Sequence, residues 1–377
     1  METKEVRLSE VIQDIAAGPF GSNLKIACFV DKGFPIIDGA NLKGFKVTDN
    51  ITKYVTNEKA YSLHRSIAKR GDVIVTISGT LGQIAYIPYD SKYTEYLCSQ
   101  RQFRVTFDTK RVYVPFITFY FHTYEGQCKI LAFANQVGVP ALSQPLKNFK
   151  QIKVQLPTLD VQKKIASVIE AINGKIECNN AVNNNLEQQA QAIYQLLFVE
   201  HRNPEWKIGK LSDLLSVKYG KDHKKLADGK YPVYGSGGIM RYVEKPLYAG
   251  ESVLIPRKGT LNNVMYVNGA FWSVDTMFYT VMLRPNIAKF AYHFVKNIDL
   301  ASLNAGSAVP SMTTNILNAM QLYIPDDTTL QEFEDIVSPM YLAIQKNIQQ
   351  SKYLAETRDL LLPKLMSGEL DVSEIDF

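Results

Sequence analysis

Two stretches of this chain carry a long apolar stripe at helical spacing. From Leu156 to Phe198, apolar residues fall at Val161, Ile165, Val168, Ile172, Val182, Leu186, Ile193 and Leu196. Steps of three and four place these side chains on one face of an α-helix. Pro157 and Asp160 mark its start, because proline leaves a strand and an aspartate suits the positive N-terminal end of a helix. About 39 residues at ~1.5 Å each make a rod of roughly 58 Å. A helix that long joins bodies more readily than it packs inside one.

The pattern recurs from Thr329 to Met366 at Phe333, Val337, Met340, Ile344, Leu354, Leu361 and Leu365, and Ser367-Gly368 supplies a stop signal. Ser338-Pro339 is expected to cap or kink this rod near its start. Each rod follows an apolar residue and a proline, Leu156-Pro157 and Ile324-Pro325. That offset of about 170 residues points to an internal duplication.

The segments before the rods match in the same order. EVRLSEVI from Glu5 pairs with KIGKLSDLL from Lys207. Arg70-Gly71-Asp72, the strand VIVTI and the loop Ser78-Gly79-Thr80-Leu81-Gly82 pair with Gly250-Glu251, SVLIP and Arg257-Lys258-Gly259-Thr260-Leu261. Ser99 answers Ser273, and Gly138 to Ser143 answers Ala308 to Thr313. Short amphipathic helices are expected at Pro115 to Thr123 and Ala288 to Asn297, with His201 to Trp206 as the linker into the second copy.

The expected fold class is α/β (α+β): a globular unit plus a long helix, duplicated. The boundaries are 1–156 for the first globule, 157–200 for the first rod, 201–325 for the second globule, and 326–377 for the second rod and tail. Two rods that bury their seams on each other must run antiparallel, as a coiled coil. Asn179 and Asn347 then fall near the two midpoints, where a polar side chain in an apolar seam fixes register.

Composition narrows the class of protein. The 377 residues suffice for two to three domains. No run reaches the ~18 apolar residues that span a bilayer, and the charged opening is unlike a signal peptide, so a cytoplasmic protein without a membrane partner is expected. Cys28, Cys98, Cys128 and Cys178 are too scattered for a disulfide framework or a zinc cluster. His64, His122, His201 and His293 have no partner at catalytic or metal spacing. The net charge of +5 permits a polyanionic partner without requiring one.

Catalytic signatures are missing from the sequence. Asn203-Pro204-Glu205-Trp206 lacks the second proline of a base-holding methyltransferase loop, and no GxxxxGK[ST] is present. Asp160 with Gln162 and Lys163 only faintly echoes a nuclease site. Gly235-Ser236-Gly237-Gly238 lacks the spacing of a dinucleotide or P-loop fingerprint.

GPFGS at Gly18, YPVYGSGGI at Tyr231, RKGT at Arg257, FWSVDTMFY at Phe271, LPTLDVQKKIA at Leu156 and RDLLLPKLMSGEL at Arg358 together resemble the specificity (S) subunits of type I restriction-modification systems, over almost the whole chain. Val161 departs from the acidic residue that many members carry before the glutamine. The resemblance implies a non-catalytic subunit with two target-recognition domains, each reading half of a split double-stranded DNA target. It also implies helices that set the spacing and dock two methyltransferase (M) subunits, and restriction (R) subunits in the full complex. No cofactor is expected on this chain; S-adenosylmethionine, ATP and Mg belong to the partner subunits.

Groups suited to base edges and phosphates point to Asn41, Lys43, Ser78, Thr80, Gln83, Gln100, Arg101 and Gln102 in the first copy. In the second they point to Lys218, Tyr219, Lys221, His223, Lys224, Lys225, Tyr234, Ser236, Arg257, Lys258 and Asn262. The competing readings are a coiled-coil scaffold that does not touch DNA, and a regulator associated with a DNA methyltransferase.

Overall fold

A computed structural model describes residues 2–135, 138–303 and 311–372. The chain divides into one unit made of residues 1–178 and 350–377 and a second made of residues 179–349.

The first unit runs through strands β1 (Ile12–Ala17), β2 (Phe34–Ile37), β3 (Ile67–Lys69), β4 (Val73–Thr76), β5 (Ile84–Tyr86), β6 (Glu95–Cys98) and β7 (Gln102–Phe107), then helix α1 (Val114–His122). One antiparallel sheet has the order β1-β7-β4-β5. A second sheet sets β2 parallel to β6, with Ile36 opposite Leu97, and β3 antiparallel to β6. Strand β4 is buried on both faces, so it reads as a continuous apolar run. Successive side chains point to opposite faces. Val73 and Val75 therefore join one core with Phe103, Phe116 and Phe119, while Ile74 joins another with Ile37, Ala85 and Cys98.

Helix α2 (Leu159–Gln195) begins here and ends in a π-type turn, Leu196–Glu200. Gln162 latches its start to the first globule. The side chain is buried, accepts from Tyr113 N at 2.8 Å, and donates to Arg111 O at 2.9 Å and Pro157 O at 3.0 Å. Ile165, Ala166 and Ile169 share the main core of this unit with Leu362, Leu365, Met366 and Val372 from the far end of the sequence.

The second unit repeats the plan with β8 (Leu215–Tyr219), β9 (Asp228–Gly235), β10 (Gly238–Val243), β11 (Tyr248–Pro256), β12 (Met265–Ser273), β13 (Met277–Met282) and helix α3 (Ala288–Lys296). The sheet order is β8-β13-β11-β12-β9-β10. Strand β11 behaves as β4 does: Val253 and Ile255 face one core and Leu254 the other. The parallel pair recurs as Val233 opposite Trp272. In each unit a short strand at the start pairs with the strand before a rod, Val6 opposite Val154 and Gly209 opposite Leu322. The expected duplication is thus present in the topology.

Helix α4 is continuous from Asp327 to Ser367. Its N-terminus is capped by Asp326, which accepts from Thr329 N at 2.8 Å and from Trp206 Nε1 at 2.9 Å. The expected cap at Ser338-Pro339 is therefore corrected: the helix starts twelve residues before Pro339 and continues through it. The Ser367-Gly368 stop holds, with Gly368 at φ +77° and Leu370 N donating to Lys364 O at 3.0 Å.

A buried ion cluster distinguishes the second unit. Lys289 Nζ lies 2.8 Å from Glu251 Oε1 and 2.6 Å from Glu334 Oε1, with its side chain 5% exposed. One turn on, buried His293 meets Gln191 Oε1 through Nδ1 at 2.7 Å and the Tyr341 hydroxyl through Nε2 at 2.9 Å. Burial and the nearby Lys296 charge push the imidazole down to about 4.

Candidate nucleic-acid interface

Both units anchor their loops at one pivot glycine each. Gly18 N donates to Gln102 O at 2.7 Å, and a Cβ there would lie 1.9 Å from Ser99 O. Gly220 N donates to Met277 O at 3.0 Å, and a Cβ would lie 2.0 Å from Val274 O. Only glycine lets the two backbones approach so closely.

The Gly-Thr loops match as closely. Ile77 N donates to Arg101 O and Leu142 N to Ile77 O in the first unit; Arg257 N donates to Thr276 O and Met312 N to Arg257 O in the second. Isolated bridges join Ser78 to Ala141 and Lys258 to Ser311. Gly79 and Gly259 sit at φ +96° and +86°. By these bonds Ser78 corresponds to Lys258, and Arg101 to Thr276. The sequence match of Ala308, Val309 and Pro310 lies outside the described residues.

In the first unit these loops enclose a cleft of about 570 Å³. It gathers Ser78, Thr80, Gln83, Gln100, Arg101 and Gln102 from the expected set, beside Leu24, Ile26, Phe29 and Ile36. Asp38 and Lys53, missed by sequence reasoning, also line it as a 2.6 Å ion pair. Burial works to raise the Asp38 carboxyl, but the Lys53 ammonium and the Ala40 N–H outweigh it and hold the group below its ordinary range. With Lys53 neutralised in this way, Arg101 supplies the positive charge among the expected residues that line the cleft.

Two expected contacts sit inside the protein. Asn41 is 4% exposed, and its amide donates to Thr48 O and Asn50 O while its oxygen accepts from Asp38 N. It braces its loop from within. Gln102 is fully buried; its Oε1 accepts from Ser99 Oγ at 3.1 Å. Gln83 is half-buried, with its amide donating to Gly39 O and its oxygen accepting from Thr76 Oγ1. Lys43 is exposed but does not line the cleft.

In the second unit the cationic residues are mostly at the surface. Lys218, Tyr219, Lys221, Lys224, Lys225, Lys258 and Asn262 are exposed. The Arg257 guanidinium stands 5.4 Å over the Tyr219 ring and donates to Asp275 O at 3.2 Å. Lys221 is fixed by its backbone, donating to Ser273 O and accepting from Trp272 Nε1. Asn262 braces a loop instead, donating to Asp299 Oδ1 at 2.8 Å and accepting from Ala301 N at 3.0 Å. His223 is half-buried. Tyr234 and Ser236 belong to the β9–β10 hairpin, where Asn263 Nδ2 donates to Ser236 O. That hairpin accounts for the run Gly235 to Gly238.

Asn179 and Asn347 lie in the second unit. Asn179 is buried and its Nδ2 donates to Asn347 O at 3.5 Å; Asn347 Nδ2 donates to Asn183 Oδ1 at 2.9 Å. Among the described residues, no group of three or more His, Cys, Asp or Glu side chains is placed to hold a metal ion, and no helix is long and apolar enough to cross a membrane.

Two sheet units built on one topology, each joined to half of two long helices, and each hanging polar loops from a pivot glycine, describe a duplicated recognition scaffold. The chain belongs to the type I restriction modification DNA specificity domain family, which it matches over residues 2–188 and 203–351. The specificity subunit of the type I restriction enzyme MjaIX from Methanocaldococcus jannaschii is 21% identical over 269 residues, covering 60% of this chain and 62% of that protein. The matched region thus spans less than two thirds of that relative. The EcoprrI specificity subunit from Escherichia coli is 23% identical over 278 residues, 67% of each chain. A crystal structure of a type I restriction-modification system S subunit from M. genitalium shares the fold, with a TM-score of 0.61 at 15% identity over 97% of this chain and 96% of that one.

Proposed function

We propose that this chain is the non-catalytic DNA-reading subunit of a type I restriction-modification complex, with each sheet unit reading one half of a split double-stranded target. One observation carries the reading: two units share their backbone anchors at the pivot glycine and the Gly-Thr loop, yet display different polar and cationic side chains there. A frame held constant while its loops vary suits two readers of two sequences.

In this reading α2 and α4 pair as an antiparallel coiled coil that sets the spacing of the half-sites and docks two methyltransferase subunits. Restriction subunits complete the assembly, and S-adenosylmethionine, ATP and Mg act on those partners. Support comes from the cores, each of which draws on the start of one rod and the end of the other. Asn179 and Asn347 would hold the register, because sliding would strand their amides.

Exchange of residues 2–155 for the same unit of a relative, read out by methylome sequencing, tests the proposal. One half of the methylated motif should change and the other persist; loss or change of both together refutes two independent readers. Four residues inserted in α2 add roughly 6 Å and should lengthen the spacer by about two base-pair steps. If the protein leaves random duplex DNA unshifted at every salt concentration, the scaffold reading replaces this one.

A further inference from the structure

We infer that Phe20 is a stacking wedge, which the first unit inserts at a base step of its half-site; this rests on the DNA-reading function proposed above. Phe20 is 83% exposed, on a loop anchored on either side of it. Gly18 is clamped against Ser99 O, and Leu24 is buried with Phe34 and Ile36. Between them Asn23 N closes a tight turn onto Phe20 O at 2.8 Å. Gly21 sits so close to the recognition cleft that a Cβ there would lie 2.6 Å from Gln100 Oε1. An aromatic ring is thereby held in solvent one residue from the glycine that abuts Gln100, which lines the cleft with Thr80 and Arg101.

The setting selects the partner. The loop residues 18–28 carry one charge, exposed Lys25, and the carboxylate of Asp38 in the adjoining cleft is paired with Lys53. Two exposed apolar side chains, Phe20 and Ile26, thus flank an exposed cation, Lys25, next to the polar groups of the cleft, a setting that fits a polyanion with stackable faces. The second unit sharpens the point. After its own pivot, Gly220, the chain continues Lys221-Asp222-His223-Lys224-Lys225, with the lysines exposed. The same loop position thus offers phosphate-binding cations in one unit and an aromatic wedge in the other. A wedge partly unstacks a step and favours pyrimidine–purine steps, which deform readily. Phe20 would then contribute specificity by deformability at a step that it does not hydrogen-bond.

The test uses the full chain and a randomised duplex library. The duplex enriched by the wild-type protein is resynthesised with 2-aminopurine at successive steps of each half-site. Binding should raise the probe's fluorescence at one step in one half only. Phe20→Ala should remove that rise, weaken binding about tenfold or more, and relax the preference at that step on reselection. Phe20→Trp should restore both. The ring is exposed, so Phe20→Ala should melt with the wild type, which separates a binding defect from misfolding. Unchanged affinity and fluorescence in Phe20→Ala overturn the wedge, as does weakened binding with the fluorescence rise intact. A wild-type protein that enriches no sequence overturns the DNA-reading function itself.

Discussion

The two units differ most where their backbones agree best. The helix that follows the sheet is VPFITFYFH in the first unit, and its residues from Val114 to Phe121 are all buried. In the second it is AKFAYHFVK, which puts Lys289 and His293 into the interior. At the loops, Arg101 in the first unit corresponds to Thr276 in the second, and Ser78 to Lys258, so the cation moves from one loop to its neighbour. Backbone bonds and glycine approaches fix the frame, and side chains on it can change sign, polarity or size without disturbing it.

The two units should therefore respond unequally to substitution. The largest effect should come from Lys289→Met, which leaves Glu251 and Glu334 facing each other in a largely buried site. The second unit should lose about 3–5 kcal/mol, while a calorimetric transition assigned to the first unit stays in place. Equal shifts in both would show that the units do not melt separately.

Acid should act in the same place. His293 is faced by Gln191 and Tyr341 at its two nitrogens, with Tyr194, Tyr292, Glu187 and Lys296 around it. The unfolded chain takes up this proton near pH 6.5, whereas the folded ring resists until about 4. Stability is therefore complete above pH 6.5, falls as the pH drops toward 4, and then levels. The loss is on the order of 3 kcal/mol. His293→Gln should flatten denaturation midpoints across that window; an undiminished slope would assign it to other groups.

The frame itself should respond symmetrically. Gly18→Ala and Gly220→Ala each place a methyl against a backbone carbonyl and should cost about 1–3 kcal/mol by urea unfolding. Tolerance at one site alone would break the equivalence of the pivots. The smallest effect belongs to Lys224→Ala and Lys225→Ala. Each should reduce the salt slope of DNA binding by about 1 without moving the melting temperature.

The rods are legible in the sequence because three-and-four spacing sustained over so many turns suits a continuous helix and neither strands nor loops. The duplication is legible because turn, strand and Gly-Thr loop recur in order. The start of α4 is legible to within two residues, Thr329 in the sequence against Asp327 in the structure, whereas the cap expected at Ser338-Pro339 misleads because Pro339 is a strong local signal that the continuous helix absorbs. Asn41 and Gln102 carry the groups a groove reader needs, and only the fold reveals that their amides face inward. Lys289 escapes notice for the converse reason: one lysine in an amphipathic helix reads as surface, and its partners Glu251 and Glu334 lie 38 and 45 residues away.

The first unit takes part of its main core from Leu362, Leu365, Met366 and Val372, whereas the second is continuous from residue 179 to 349. During synthesis the order of completion is therefore inverted. The unit that begins first completes its core only when the second has emerged and the closing helix has followed. The second unit can assemble as soon as its own residues are free, while a ribosome that stalls before residue 362 leaves the first unsealed and prone to aggregation.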